Sequence, residues 1–265
     1  MSAKQEYHWY PFYTLFRREI ARFMKVLGQT VLIPLVNSGL YLMIFGVSLG
    51  HQIVVQGQSS YLAFLIPGLV MMGCLNNAFQ NSSSSIITSK FSGDLEDLKA
   101  APFSIMQIIW ALGLAALVRG LMVGGVTWAV GEVSHFAIYG QWLGIAHPLV
   151  LAVFLVLGSL TFANLGISVA FWARTFEQMS AVSGFILLPL IYLGGVFFSV
   201  EHLPGFWKDV SLANPLLYMI NGVRYGILGA ADVEPGIALA VSLAAMTGTL
   251  LLAAQSLRTG SFQRW

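Results

Sequence analysis

Between Val26 and Ser89 the chain has no aspartate, glutamate, lysine or arginine, and over its whole length these residues make up only 9%. So little charge cannot keep a folded surface in water. With 57% hydrophobic residues and a mean hydropathy of +0.77, a soluble domain is excluded. Cysteine is nearly as scarce: Cys74 is the single one, inside an apolar run, which excludes a disulfide framework. A net charge of only +2 leaves no electrostatic footprint for nucleic acid.

Catalytic motifs are missing too. A phosphate-cradling loop needs Gly, four residues, then Gly-Lys-Ser/Thr. In the nearest approach, Gly93 to Lys99, Leu98 takes the second glycine position and Ala100 the hydroxyl position. No nucleophile elbow and no His-Glu metal motif occurs. His51, His135, His147 and His202 are spaced too widely for a metal site and read as polar loop residues. No acid falls within a predicted span, so the usual coupling group of an ion-driven carrier is absent. Energy for any pumping would come from elsewhere, and a separate ATPase is the simpler source.

Long apolar runs are what the chain does have. Six are long enough to span a bilayer, near 26–50, 61–85, 105–131, 148–172, 178–200 and 236–257. The expected fold is an all-α integral membrane bundle of six helices over 26–257. Residues 201–235, broken by Pro204, Asn214-Pro215 and several glycines, are too interrupted for a span and too apolar for a free loop. They read as a re-entrant pair of short helices.

Residues 1–25 have no early apolar core, which argues against a cleavable signal. Trp9, Phe12, Tyr13, Phe16, Ile20, Phe23, Met24 and Leu27 recur at helical spacing, with Arg17, Arg18, Arg22 and Lys25 on the other face and Pro11 suited to a first turn. That pattern predicts an amphipathic helix lying in the interface. Residues 90–104 form an island of charge between two apolar runs. Asp94 as a cap, Glu96 and Asp97 in the first turn, Leu98, Lys99 near the end and Pro102 as a stop predict a short polar helix. It is either an ordinary loop helix or a docking helix taking force from a soluble partner.

Lysine and arginine are unevenly distributed. The N-terminal segment, the Lys90 loop, the Arg174 turn and the 258–265 tail share one side, leaving Lys208 and Arg224 on the other. Both termini and the island are therefore expected in the cytoplasm. Inside the second span Asn76, Asn77, Gln80, Asn81, Ser84 and Thr88 recur at three- and four-residue spacing. In lipid these groups must face another helix or a watery path, and either satisfies them. Arg119 lies mid-span with no carboxylate expected at its depth. A water-filled path, backbone carbonyls and amides such as Asn164, or snorkelling to a headgroup could relieve it. It either hydrogen-bonds neighbouring helices or borders the path and favours anionic head groups. The glycine pairs Gly46/Gly50 and Gly120/Gly124 permit close helix contact, most simply within one chain.

The run Gly194-Gly195-Val196-Phe197-Phe198-Ser199, then Leu203-Pro204, then Asn214-Pro215-Leu216-Leu217-Tyr218-Met219-Ile220-Asn221-Gly222-Val223-Arg224-Tyr225-Gly226, resembles the signature of ABC-2 type transporter permeases. The Asp94-Leu95-Glu96-Asp97-Leu98 island is similar to that family's cytoplasmic coupling segment. Pro67-Gly68-Leu69 fits as well, and the YadH-like bacterial inner-membrane members are especially similar. The resemblance covers essentially the whole chain. It implies a six-helix permease of the bacterial cytoplasmic membrane, surrounded by lipid and working as a homodimer. Two copies of an ATP-binding subunit would hold the ATP and Mg, leaving this chain without a cofactor or a catalytic residue. It further implies that Asp94, Glu96, Asp97, Leu98 and Lys99 dock on that subunit. The exported substrate would be an amphiphilic, lipid-like, polysaccharide or drug-like molecule. The competing classes are a membrane enzyme acting on lipid-linked substrates and a carrier or channel independent of ATP.

Overall fold

A computed structural model of the chain describes residues 3–48, 60–101 and 103–260. Among these residues every regular element is helical. Six stretches are long and apolar enough to cross a membrane: Leu27–Gly46, Tyr61–Ser92, Ile105–Tyr139, Pro148–Trp172, Phe176–Leu193 and Pro235–Thr259.

The post at the centre is α3 (Tyr61–Ser92), most of whose residues are buried. Its first turn is capped by Ser60, whose Oγ accepts from the Ala63 amide at 3.1 Å, and it ends at Gly93 with φ +89°. Around it stand α5 (Ile105–Tyr139) and α6 (Pro148–Trp172), with α11 (Pro235–Thr259) against α6. Small residues set the spacing. A Cβ on Gly120 would lie 3.0 Å from the Cys74 carbonyl, and one on Gly124 would collide with Cys74 Sγ. The Gly120/Gly124 pair thus packs α5 onto α3 within one chain. Gly46 faces Leu62 on α3, while Gly50 lies outside the described residues. On the α6 side, a Cβ on Gly166 would come within 2.6 Å of the Phe79 carbonyl, and Ser82 donates to the Ala163 carbonyl at 2.8 Å.

Outside this core, α1 (Ala3–Met24) packs on α5, and α2 (Leu27–Tyr41) continues into a π-helical turn, Leu42–Ser48. The fifth span is broken: α7 (Phe176–Val182) passes through a π-helical turn at Ser183–Leu187 into α8 (Leu188–Leu193), with Pro189 at the join. Two short helices, α9 (Gly205–Leu212) and α10 (Pro215–Leu228), precede α11. Asn214 caps α10 by accepting from the Leu216 amide at 3.1 Å, and Pro215 takes its first position. Most of α10 is buried. The His147 and Ala146 amides donate to the Gly226 and Ile227 carbonyls at 2.8 and 3.1 Å.

Several expected boundaries move, each for a polar reason. The third span continues past residue 131 to Tyr139, so Glu132 and His135 are helical and buried rather than loop residues. The Glu132 carboxylate accepts from the Leu143 and Gly144 amides at 3.0 and 2.8 Å, and His135 Nδ1 lies 2.8 Å from the Gln141 carbonyl. The second span continues past residue 85 to Ser92 because α6 supplies partners for its polar end, as described below. Pro11 lies inside α1 rather than in its first turn. His147 is the residue before α6 and stacks on Tyr225 at 4.8 Å between ring centroids. His51, Pro102 and the end of the tail, 261–265, lie outside the described residues.

Candidate functional site

Three polar assemblies lie along the bundle. The first is at the end where α4 (Asp94–Ala100) follows α3. Gly93 makes the turn, and the Glu96 amide donates to its carbonyl at 3.1 Å. Asp94 is the first helical residue rather than the cap, so it adds charge to the first turn. Asp94 and Glu96 are exposed. Leu95 is buried and Leu98 half-buried, seated beside Leu15 of α1, Ile108 of α5 and Leu257 of α11. The side chains of Asp97 and Lys99 lie outside the described residues. α4 is therefore fastened by its leucines to the base of several spans while Asp94 and Glu96 face outward.

Lys90, expected in a surface loop, is instead buried in the last turn of α3. Its Nζ donates to the carbonyls of Ala170, Phe171 and Ala173 at 2.6, 3.0 and 3.2 Å, and lies 5.4 Å from the Phe171 ring centroid. The end of α6 has orphan carbonyls and a partial negative charge, and this ammonium answers both. α4 and the end of α6 are thus joined through three residues of chain after Lys90.

The second assembly is in the polar interior. A cavity of about 260 Å³ lies between α2, α3 and α5. Of the residues expected to line a path, Asn77 and Arg119 border it, together with Asn76 and with Gln29 and Asn37 of α2. Gln80 is exposed, Asn81 is buried beside the cavity, and Ser84 bonds to α1. Arg119 reaches Asn81, not Asn164: its Nη1 donates to Asn81 Oδ1 at 3.5 Å. Arg22, expected on a water-facing side of α1, turns inward instead. Its Nη2 donates to the Asn81 carbonyl at 2.7 Å and to Asn81 Oδ1 at 3.1 Å, its Nη1 to Ser84 Oγ at 3.2 Å, and its Nε to Glu19 at 3.0 Å. Glu19 is wholly buried and also accepts from Arg18 at 3.2 Å. The buried stripe of α1 is then Leu15, Glu19 and Phe23, with Trp9 and Tyr13 exposed.

The third assembly, at the opposite end, gathers the signature residues. Arg224, expected in the re-entrant helix pair as one of the two far-side basic residues, is helical there and buried. Its Nη2 donates to the Gly195 carbonyl at 2.8 Å, and its Nη1 lies 3.5 Å from Asn221 Oδ1 and 3.7 Å from Asp232. The guanidinium carbon stands 3.7 Å above the Phe64 ring centroid. Asn221 Oδ1 accepts from the Asp232 amide at 2.9 Å, and Asp232 accepts from the Val200 amide at 3.3 Å. Asn214 Nδ2 donates to the Leu190 carbonyl at 2.6 Å. One arginine thereby ties α3, the Gly195 turn, α10 and the loop before α11.

The family model described as "ABC-2 type transporter" matches residues 10–228, a range that holds most of the residues in each assembly, with Asp232 and Leu257 beyond it. The chain belongs to this family. It is 39% identical to "Inner membrane transport permease YadH" of Escherichia coli (strain K12), over 85% of this chain and 86% of that protein. It is 25% identical to "Nodulation protein J" of Rhizobium meliloti (strain 1021), over 84% and 83% of the two chains. With the Rhizobium leguminosarum bv. trifolii protein of that name the identity is 26%, over 81% and 80%. As a member of the ABC-2 family with six helices long and apolar enough to cross a membrane, it is a membrane transport subunit. Among the described residues this permease has no group of three or more His, Cys, Asp or Glu placed to hold a metal.

Sequence reasoning missed Glu19, Arg22 and Lys90 as interior residues of the permease. For Glu19 a signal existed: it sits four residues from both Leu15 and Phe23, so it falls on the stripe that packs inward. An acid on such a stripe calls for a cation within one turn, and Arg22 is three residues away.

Proposed function

We propose that this chain is the membrane-spanning permease of an ATP-driven exporter of amphiphilic molecules, powered by a separate ATP-binding subunit. The observation that carries the reading is α4. Its leucines are seated among the spans while Asp94 and Glu96 face outward, so a push on its exposed face reaches several helices at once. The α4 end lies in the cytoplasm. Arg17, Arg18, Lys25, Arg174 and Arg258 are exposed there, against Lys208 alone at the other end among the described residues. This asymmetry survives the removal of Arg22, Lys90 and Arg224, whose charges are turned inward.

The setting is the bacterial inner membrane, with α1 at the interface, residues 26–257 as the transport domain and α9–α10 re-entering from the outside. The permease acts as a pair with two ATP-binding subunits, which hold ATP and Mg. The exposed apolar faces of α2, α7–α8 and α11 are available to lipid and to the second copy. The asparagine-lined cavity with Arg119 belongs to the path, and the cargo is lipid-like, polysaccharide-linked or drug-like.

Reversing both charges, Asp94→Lys with Glu96→Lys, is expected to abolish co-purification of the ATP-binding subunit while permease yield in the membrane stays near wild type. Undiminished co-purification and undiminished substrate-stimulated ATP turnover would remove α4 from the coupling role.

A further inference from the structure

The arithmetic of charge around Asn81 is incomplete. Two arginines reach Asn81: Arg22 from α1 and Arg119 from α5. One carboxylate, Glu19, is near, and it is bonded by Arg22 and by the exposed Arg18. Each nitrogen of Arg22 is bonded, to Glu19, Ser84 or Asn81. Not every nitrogen of Arg119 is. Its hydrogen bond to Asn81 Oδ1 is long at 3.5 Å, that oxygen is already claimed by Arg22, and its buried Nε has no partner. Among the described residues no carboxylate lies within ion-pair distance of it. A half-buried arginine held beside another arginine without a counter-ion is stabilised when an anion completes the site.

Arg119 also borders a cavity whose walls are of two kinds. Gln29, Asn37, Asn76 and Asn77 offer amides, whereas Ile33, Leu69, Met72 and Val123 offer hydrocarbon. Asn77 spends one N–H on the Gly73 carbonyl at 3.1 Å and keeps the other. A guanidinium with surrounding amides suits a tetrahedral oxyanion, and the apolar wall suits a chain attached to it.

We propose that the cavity between α2, α3 and α5 is a binding site for the phosphate group of an amphiphile, with Arg119 as its principal ligand. Arg22 is a positioning residue that holds Asn81 in place through its two hydrogen bonds. This deepens the transport reading by naming the class of group carried, and it places the recognition step on the permease itself. Binding is therefore measurable without any ATP-binding subunit. Failure here leaves the role of α4 standing, and failure of α4 to dock leaves this site standing.

The test uses the full chain, purified in an uncharged maltoside detergent, with three probes: dodecyl phosphate, dodecanol and inorganic phosphate. Thermal unfolding and native mass spectrometry read the binding. Dodecyl phosphate is expected to bind once per chain and to raise the melting temperature, whereas dodecanol leaves it unchanged. Arg119→Gln should weaken dodecyl phosphate at least tenfold, and Arg119→Lys, which keeps the charge, should weaken it less. If inorganic phosphate binds as tightly as dodecyl phosphate, the anion site stands and its source is a free anion rather than an amphiphile. Equal effects of dodecyl phosphate and dodecanol on the wild-type chain would overturn the proposal without reference to any variant. Undiminished binding of dodecyl phosphate by a folded Arg119→Gln protein would overturn it as well.

Discussion

Arg224→Met is expected to cost the permease about 3 kcal/mol or more, the order found when one partner of a buried ion pair is removed. Most of that cost comes from what stays behind. The Gly195 carbonyl loses its donor at 2.8 Å, and Asp232 loses the cation 3.7 Å away. Phe64 loses the guanidinium stacked on its ring. These groups sit where α3, the Gly195 turn, α10 and the loop before α11 converge, so the damage spreads to four segments at once. Arg224→Lys should recover part of the loss because it restores the charge without the planar fork. Arg17→Met, at an exposed position on α1, should lie within about 0.5 kcal/mol of wild type. The check is thermal unfolding of the detergent-solubilised chain. Arg224→Met should melt lowest, Arg224→Lys between, and Arg17→Met with wild type.

Lys90→Met is expected to separate binding of the ATP-binding subunit from transport. Methionine fills the apolar part of the lysine's space but cannot answer the carbonyls of Ala170, Phe171 and Ala173. Leaving acceptors unsatisfied costs about 1–3 kcal/mol, which weakens the junction of α3 with α6 without removing the core around it. The outward face of α4 begins four residues later and is untouched. Co-purification of the ATP-binding subunit should therefore persist, while substrate moved per ATP hydrolysed falls severalfold in proteoliposomes. Transport at the wild-type ratio would show that the Lys90 junction carries no force.

Hydropathy made the spans legible, since a bilayer demands long apolar helices wherever they occur. It was poor at their ends because polar residues there are satisfied by tertiary partners that no local window contains. Glu132 reads as a loop acid until Leu143 and Gly144 are found folded back over it. Lys90 reads as a surface charge until the end of α6 is placed beside it. Arg224 is the clearest case: a basic residue in a broken stretch counts as topogenic by position, yet its charge is spent inside the fold. The candidate path was half legible. Spacing put Asn77 and Asn81 on one side of α3 and marked Arg119 as costly. That Arg22 would reach Asn81 from across the bundle depends on how α1 lies against α3 and α5, which periodicity does not specify.

Photocrosslinking from position 96 tests the central claim most directly. A photoreactive phenylalanine analogue in place of Glu96, on the exposed side of α4, should crosslink to the ATP-binding subunit in intact membranes. The same group in place of Trp207, exposed on α9 at the opposite end, should give no such product. Crosslinks from position 207 and none from position 96 would contradict both the coupling role of α4 and the orientation of the bundle.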